Sequence, residues 1–343
     1  MMKLPKFLYK KIVSHNTSLG DNAVFPPEED FPFEYKLIKK RYSDIIDNIQ
    51  SSEFNGIDVD KASTLLFREN YFFINGYRHL FKRSYSDKNF IKGTTFEELY
   101  AVFQFDRSFR NILFKNFLIV ENNLKSILSY KLSKKYGIKE KYYLRPSNFS
   151  QDIKKTRQVN DVINKVKRQI KLNGRQHSAT LHYLSNYGYV PLWILVKLLS
   201  FGMINELYSI LKPEDKISIA EYYKIDVETL GIYIGMMANY RNLCAHEDIV
   251  YDHRTQKELP NTKYHQLLNI PTMNDEYIYG KNDIFAIIIV LKYMLTPEEF
   301  TTMCREISYE LDVLDGKVST IPQPKILDVM GFPENWEDIT HIK

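Results

Sequence analysis

Residues 226–252, DVETLGIYIGMMANYRNLCAHEDIVYD, decide the fold class, because an apolar helical repeat runs there directly into a cluster of reactive polar side chains. Asp226 has the side-chain oxygen an N-cap needs, and Ile225 and Leu230 are spaced for the hydrophobic staple that fixes a chain's entry into a helix. Val227, Leu230, Ile234 and Met237 then recur with a helical period and predict one buried face. The cluster is Arg241-Asn242-Leu243-Cys244-Ala245-His246. Asn242 and His246 are four apart and share a face if the helix continues, whereas Arg241 and His246, five apart, differ by roughly 140° on an ideal helix. Arginine must therefore reach around the helix, or the helix must end here.

Outward from this stretch the helical period persists. Gly188 and Pro191 introduce a helix carrying Trp193, Leu195 and Leu198, which Phe201-Gly202 is expected to end, and Pro213-Glu214-Asp215 starts another. Beyond the cluster, residues 251–282 are polar, with Pro260, Pro271 and Gly280, and read as a long ordered loop or a partly mobile segment. Asp283 is placed to cap a helix from Ile284 to Leu295, and Thr296-Pro297-Glu298-Glu299 starts the next. From Gly316 onward, Pro322, Pro324 and Pro333 leave little helical pattern.

The longest helical signal lies between the capping box of Thr95 and Glu98 and a terminating Gly137. Its apolar stripe runs from Leu99 through Phe109, Phe117 and Leu124 to Leu132, which predicts one central helix or two joined by a kink. On it Asp106 and Arg110 are four apart, as are Glu121 and Lys125. Spacing alone makes them surface ion pairs worth a few tenths of a kcal/mol each. Ahead of it, residues 1–32 read as an irregular arm and residues 33–94 as a helical region. No alternating strand pattern and no internal repeat is present, so the expectation is an all-α multi-helix bundle. It comprises a helical domain over residues 95–310 and an irregular tail over 311–343.

Composition narrows the function classes. The 343 residues are 44% hydrophobic, enough for a large core, and the formal charge of +5 permits an anionic partner without demanding one. Two cysteines, Cys244 and Cys304, exclude a disulfide framework and suit a reducing cytoplasm. The N-terminus has no apolar run of signal-peptide length, and no run approaches the roughly 20 residues of a membrane span, so neither export nor membrane insertion is expected. No phosphate-binding glycine loop is present, and Cys244, His246, His253 and His265 lack paired-ligand spacing; no cofactor and no metal is expected. Charge is concentrated in one stretch: Lys154, Lys155, Arg157, Lys165, Lys167, Arg168, Lys171 and Arg175 face only Asp161. Val159, Val162, Ile163, Val166 and Ile170 share that stretch at helical spacing, giving an amphipathic helix with a basic face. Such a face is either merely solvated or a seat for the phosphate backbone of RNA.

The Arg241-Asn242-x-x-x-His246 arrangement resembles the signature of HEPN ribonucleases, in which an arginine is followed by a polar residue and then by a histidine a few positions on. Its company is more specific. Pro191-Leu192-Trp193, then Leu199-Ser200-Phe201-Gly202, then the cluster itself, in that order, resemble the Abi-like family of bacterial abortive-infection proteins of the AbiD and AbiF type. Upstream, Asn70-Tyr71-Phe72 with Gly76-Tyr77, and Phe105-Asp106-Arg107 with Arg110 and Glu121, fit the same family, so the resemblance extends over residues 33–295.

The resemblance implies a HEPN-like helical domain and a metal-independent endoribonuclease of anti-phage defence. His246 would be its acid or base, Arg241 would stabilise the phosphorane, and Asn242 would orient His246 or the phosphate. Asp106, Arg110 and Glu121 would support the site. With one motif per chain, it also implies a homodimer that brings two copies together. Read without the family, Arg241 could pair with Glu247 or Asp248 and His246 could be satisfied by backbone. Two other classes stay open: a non-catalytic module that holds a structured or guide-like non-coding RNA, and a protein-interaction switch with a vestigial motif.

Overall fold

The structure is a computed structural model, which describes Leu65, Arg68, Glu69 and residues 74–83, 90–174 and 176–342. The arm expected at residues 1–32, most of the helical region at 33–94, and Arg175 lie outside the described residues. Helix α1 spans Phe96–Tyr136 without a break, 41 residues or about 60 Å. Its start is the capping box: the Glu98 N–H donates to Thr95 Oγ1 at 3.2 Å and the Thr95 N–H donates to the Glu98 carboxylate at 3.0 Å. Its end is Gly137, whose φ of +87° is the left-handed turn that a side chain resists. Of the two alternatives for this stretch, the single helix is the one formed.

The chain divides into two units. The first takes residues 1–103 with 316–321. There a 3-10 helix, Gly76–Phe81, buries Tyr77, whose ring meets Phe103 edge-on at 5.9 Å. Glu98 is buried in this unit and also accepts from the backbone and hydroxyls of Ser319 and Thr320 at 2.7 to 3.0 Å. Burial opposes its charge, but these donors prevail and hold the carboxyl below its ordinary range.

The second unit takes residues 104–315 with 322–343. After α1 come α2 (Glu140–Tyr143), α3 (Thr156–Asn173), α4 (Ser178–Tyr187), α5 (Leu192–Leu195), α6 (Phe201–Ser209), α7 (Pro213–Tyr223) and α8 (Val227–Ala245). Helix α8 carries the opening stretch, and its cap is Asp226, which accepts from the Thr229 N–H at 2.9 Å. Leu230, Ile234 and Met237 are buried as their spacing requires, but so are Tyr233, Met236, Ala238 and Tyr240. Burial exceeds one face because α6, α7 and the later helix Ile284–Met294 all pack on α8. Helix α10 is Ile284–Met294, capped by Asp283 through the Ala286 N–H at 2.9 Å and wholly buried from Ile284 to Leu291.

The chain is all-α. Among the described residues, β structure amounts to a two-residue ribbon, β1 (Thr272–Met273) against β2 (Glu276–Tyr277), and two isolated bridges. No described helix is long and apolar enough to cross a membrane.

Three expectations are corrected. Phe201-Gly202 starts a helix rather than ending one: Ser200 Oγ accepts from the Met203 N–H at 3.3 Å and so caps α6, while the preceding helix stops after α5 and a 3-10 turn, Val196–Leu198. The loop over 251–282 contains α9 (Lys263–Leu267) and the ribbon, and its Tyr251, Leu259, Tyr264 and Leu268 are buried. The region expected to be an irregular tail holds the end of α11 (Pro297–Asp315), then α12 (Gln323–Met330) and a 3-10 helix, Trp336–Thr340. Pro322 and Pro324 mark the start of α12, where the missing N–H costs nothing, and Pro333 lies in the turn ahead of the 3-10 helix.

Candidate functional site

Helix α8 ends inside the polar cluster. Ala245 is its last residue and His246 its C-cap, with φ −97° and ψ 5°. Glu247 follows at φ +58°, a left-handed position that glycine usually fills. The Asp248 N–H reaches back to the Leu243 carbonyl at 3.0 Å and the Glu247 N–H to the Cys244 carbonyl at 3.5 Å, the two bonds of a Schellman turn. The geometric dilemma of Arg241 and His246 is thus resolved by termination rather than by arginine reaching round a continuing helix. His246 keeps one helical tie, its N–H donating to the Asn242 carbonyl at 3.0 Å. Its ring is exposed and makes no hydrogen bond among the described residues, and neither does the exposed Asn242 side chain.

Arg241 is held from α1. Its Nε donates to Glu121 Oε2 at 3.3 Å, and its guanidinium lies over the Phe114 ring at 5.3 Å. Its two terminal nitrogens make no hydrogen bond among the described residues, so the outer edge of the fork is available to a ligand. The alternative pairing with Glu247 or Asp248 is not the one formed; Glu247 meets Arg107 instead, at 3.4 Å. Glu121 is shared, its other oxygen accepting from Lys125 at 2.6 Å.

Asp106 and Arg110 clamp the chain as it leaves the motif. Asp106 accepts from Arg110, from the Tyr251 N–H at 3.0 Å and from the Val250 N–H at 3.4 Å, while Arg110 donates to the Asp248 carbonyl at 3.3 Å. The reading of surface ion pairs is therefore wrong for both couples: Asp106 is 0% and Arg110 2% exposed, and Glu121 and Lys125 are buried too. Asp106 satisfies backbone donors of the loop at 250–251, and Glu121 holds an arginine from α8. Neither job is visible in an i, i+4 spacing.

One contributor was missed in the sequence. Phe114 lies outside the main apolar stripe, yet Arg107, Phe114 and Glu121 recur every seven residues and so share one line along α1 facing the end of α8. That seven-residue recurrence is the signal that could have found it. Beside the motif, His253 Nε2 pairs with Asn239 Oδ1 at 2.9 Å, and the His253 carbonyl accepts from Tyr240 at 2.9 Å. Burial depresses the His253 pKa. Burial likewise pushes the Cys244 thiol up to about 12, so it stays protonated. His265 is wholly buried between Thr262 and the Gly280 carbonyl, far from being a ligand in waiting.

The basic stretch forms α3 with Val159, Val162, Ile163 and Val166 buried, as its spacing requires. Lys154 and Lys155 precede it on a 3-10 turn, Ile153–Lys155. Arg157, Lys167, Arg168 and Lys171 are exposed; Lys165 bridges to Glu206 of α6 at 2.8 Å, and Arg157 approaches Asp161 at 3.9 Å. Helix α6 packs on both α3 and α8, so basic helix and motif helix flank a common element. Among the described residues, no basic side chain of α3 bonds to the motif itself.

The family model of Abi-like proteins matches residues 64–252, more than half of the 343 residues. The chain belongs to the Abi-like family. The match takes in α1 through α8, and with them the clamp, the basic helix and the motif of this Abi-like protein, and it ends six residues beyond His246. No curated protein and no solved structure matches the chain.

Proposed function

We propose that this Abi-like protein is a metal-independent endoribonuclease of the HEPN type, acting in bacterial anti-phage defence by abortive infection. The observation that carries the reading is Arg241: an arginine gripped at Nε by a buried carboxylate and backed by a ring, with its outer nitrogens unoccupied, five residues before an exposed histidine at the helix end. A guanidinium anchored on one side and open on the other suits a phosphate that gains charge during reaction. The ribose 2′-oxygen attacks phosphorus while its proton passes to a base. The bond to the 5′-oxygen breaks and that oxygen takes a proton, leaving a 2′,3′-cyclic phosphate and a 5′-hydroxyl. Histidine can perform either proton transfer near neutral pH.

Each motif offers one histidine, so a homodimer with two motifs facing one cleft would supply both the acid and the base. RNA is the proposed partner, with α3 as the seat for its backbone. The test is cleavage of labelled RNA in EDTA by wild type and by His246→Ala. The expected loss is about 10²- to 10⁴-fold, with cyclic-phosphate ends on the wild-type products. Arg241→Lys should fail as well, since an ammonium cannot reproduce the fork. Equal cleavage by wild type and His246→Ala would make the motif structural. RNA bound but never cut would leave the module that holds a non-coding RNA, a reading favoured by the exposed basic face of α3.

A further inference from the structure

Residues 162–205 contain no aspartate or glutamate. This acid-free run begins within α3, passes through α4 and α5, and enters α6, and it presents more than positive charge. Tyr183 and Tyr187 are four apart on α4 and their rings lie 5.4 Å apart. Gly188 then turns the chain through a left-handed φ of +70°, which brings Tyr189 to within 6.3 Å of Tyr187. On the other side Trp193, at the start of α5, meets Tyr183 edge-on at 6.5 Å. The strip is at the surface: Tyr187 is 58% and Trp193 40% exposed.

Lys139 closes one end, its ammonium 5.3 Å above the Tyr189 ring. Helix α2 brings the lysine there, because Tyr143 donates to the Val190 carbonyl at 2.6 Å and Glu140 accepts from the Val190 N–H. Glu140 is thereby committed to backbone.

A run of exposed rings with a lysine at one end and no uncommitted carboxylate fits one class of partner. A protein interface buries aromatic anchors but is depleted in lysine, whereas single-stranded nucleic acid takes both features, bases on the rings and phosphates on the cations. We infer that the Trp193–Tyr183–Tyr187–Tyr189 strip is a stacking platform for unpaired nucleotides of RNA, continuous along the chain with the basic face of α3. The inference rests on RNA being the partner and deepens that reading: the platform selects single strands or loops, because the bases of a duplex have no free faces.

Intrinsic fluorescence tests it directly. The protein has two tryptophans, and Trp336 is 3% exposed, so a change in emission on stacking reports Trp193. In a His246→Ala background, titration with a uridine-rich single strand of about a dozen nucleotides should quench that emission, and a blunt duplex should not. Tyr187→Ala with Trp193→Ala should weaken single-strand binding roughly five- to hundredfold per ring lost. The duplex affinity and the slope of affinity against salt should be unchanged, because neither ring neutralises a phosphate. Tyr187→Ala alone, at the most exposed ring, should reproduce part of the loss with the unfolding midpoint unaltered.

Unquenched Trp193 emission, or unaltered single-strand affinity in the double variant, would overturn the platform alone if the wild type still cleaves RNA through His246. A drop in molecular mass on ring substitution, with RNA binding intact, would make the strip a contact between copies of the chain and overturn it equally. A wild type that neither binds nor cleaves RNA would remove the functional reading, and the platform with it.

Discussion

Glu121 holds two cations at once, and separating its two jobs gives the sharpest test of the site. Its side chain is 6% exposed; Lys125, at 2.6 Å, is 11% exposed and Arg241, at 3.3 Å, is 23% exposed. Glu121→Ala strands the Lys125 ammonium away from water, the situation in which breaking a buried pair costs about 3–5 kcal/mol. Arg241, nearly a quarter exposed, recovers part of its solvation, so its share is nearer 1 kcal/mol. Loss of activity in that single variant therefore says little, because the fold is compromised. The informative variant is Glu121→Leu with Lys125→Met, which removes both buried charges, keeps the volumes close and leaves no acceptor oxygen for Arg241. Exchanging a buried ion pair for neutral groups is often close to neutral, so urea unfolding should return to within about 1 kcal/mol of wild type. Cleavage should not return. Arg241 then keeps Phe114 but loses the carboxylate that fixes its fork, and a misplacement of about 1 Å can cost on the order of 10²-fold. If the double variant is as stable as wild type and cleaves at the wild-type rate, Glu121 serves only to neutralise Lys125, and the positioning argument is refuted.

Mixing Arg241→Ala chains with His246→Ala chains, each inactive alone, checks whether two motifs act across a dimer: cleavage by the mixture well above either parent is expected, and a monomeric mass together with full wild-type activity would contradict it. Glu247→Gly should stabilise the fold by about 1 kcal/mol in urea unfolding, because the φ of +58° no longer opposes a side chain and the forfeited Arg107 contact is largely exposed; a lower midpoint would mean that contact outweighs the strain. Asp283 is pushed up from 3.8 to about 6 by burial, against the backbone donors of Ala286 and Gly280 and the charge of Arg254. Its contribution to stability is therefore fully present below pH 3.8 and is lost as pH rises through about 6, a drop of about 3 kcal/mol. Asp283→Asn keeps a cap oxygen for the Ala286 N–H and should abolish that drop; identical pH profiles of unfolding midpoint for the two proteins would refute it.

What could be read in the sequence was what local chemistry decides. Thr95 with Glu98, Gly137, Asp226 and Asp283 act within a turn of themselves, and each begins or ends the helix its spacing requires. The misread places are those where one residue type has two local meanings. Gly202 can break a helix, but behind the Ser200 hydroxyl it sits in a first turn where glycine does little harm. Pro322 and Pro324 can interrupt a helix, but as cap and first-turn residues they open α12. The candidate site at Arg241, Asn242 and His246 was singled out only through the resemblance. Its supports were not legible as supports, because an i, i+4 pair looks the same in water as in a core, and what buries Asp106 is the chain near Val250, brought back only by the tertiary fold.

Two buried i, i+4 ion pairs on one helix are a poor way to gain stability, since taking the charges out of water consumes most of what their attraction returns. Their distribution along α1 suits a different purpose. Each pair uses its spare bonding capacity on one side of His246: Glu121 on Arg241, which precedes it, and Asp106 with Arg110 on the backbone at 248–251, which follows it. Between the two anchors lies a helix end with a strained Glu247 and an exposed, unbonded histidine. An apolar seam would fix the depth of α8 against α1 but leave its rotation loosely set; directional bonds from buried charges fix rotation as well. Local rules are broken together at one helix terminus, and it is the terminus that carries the proposed chemistry.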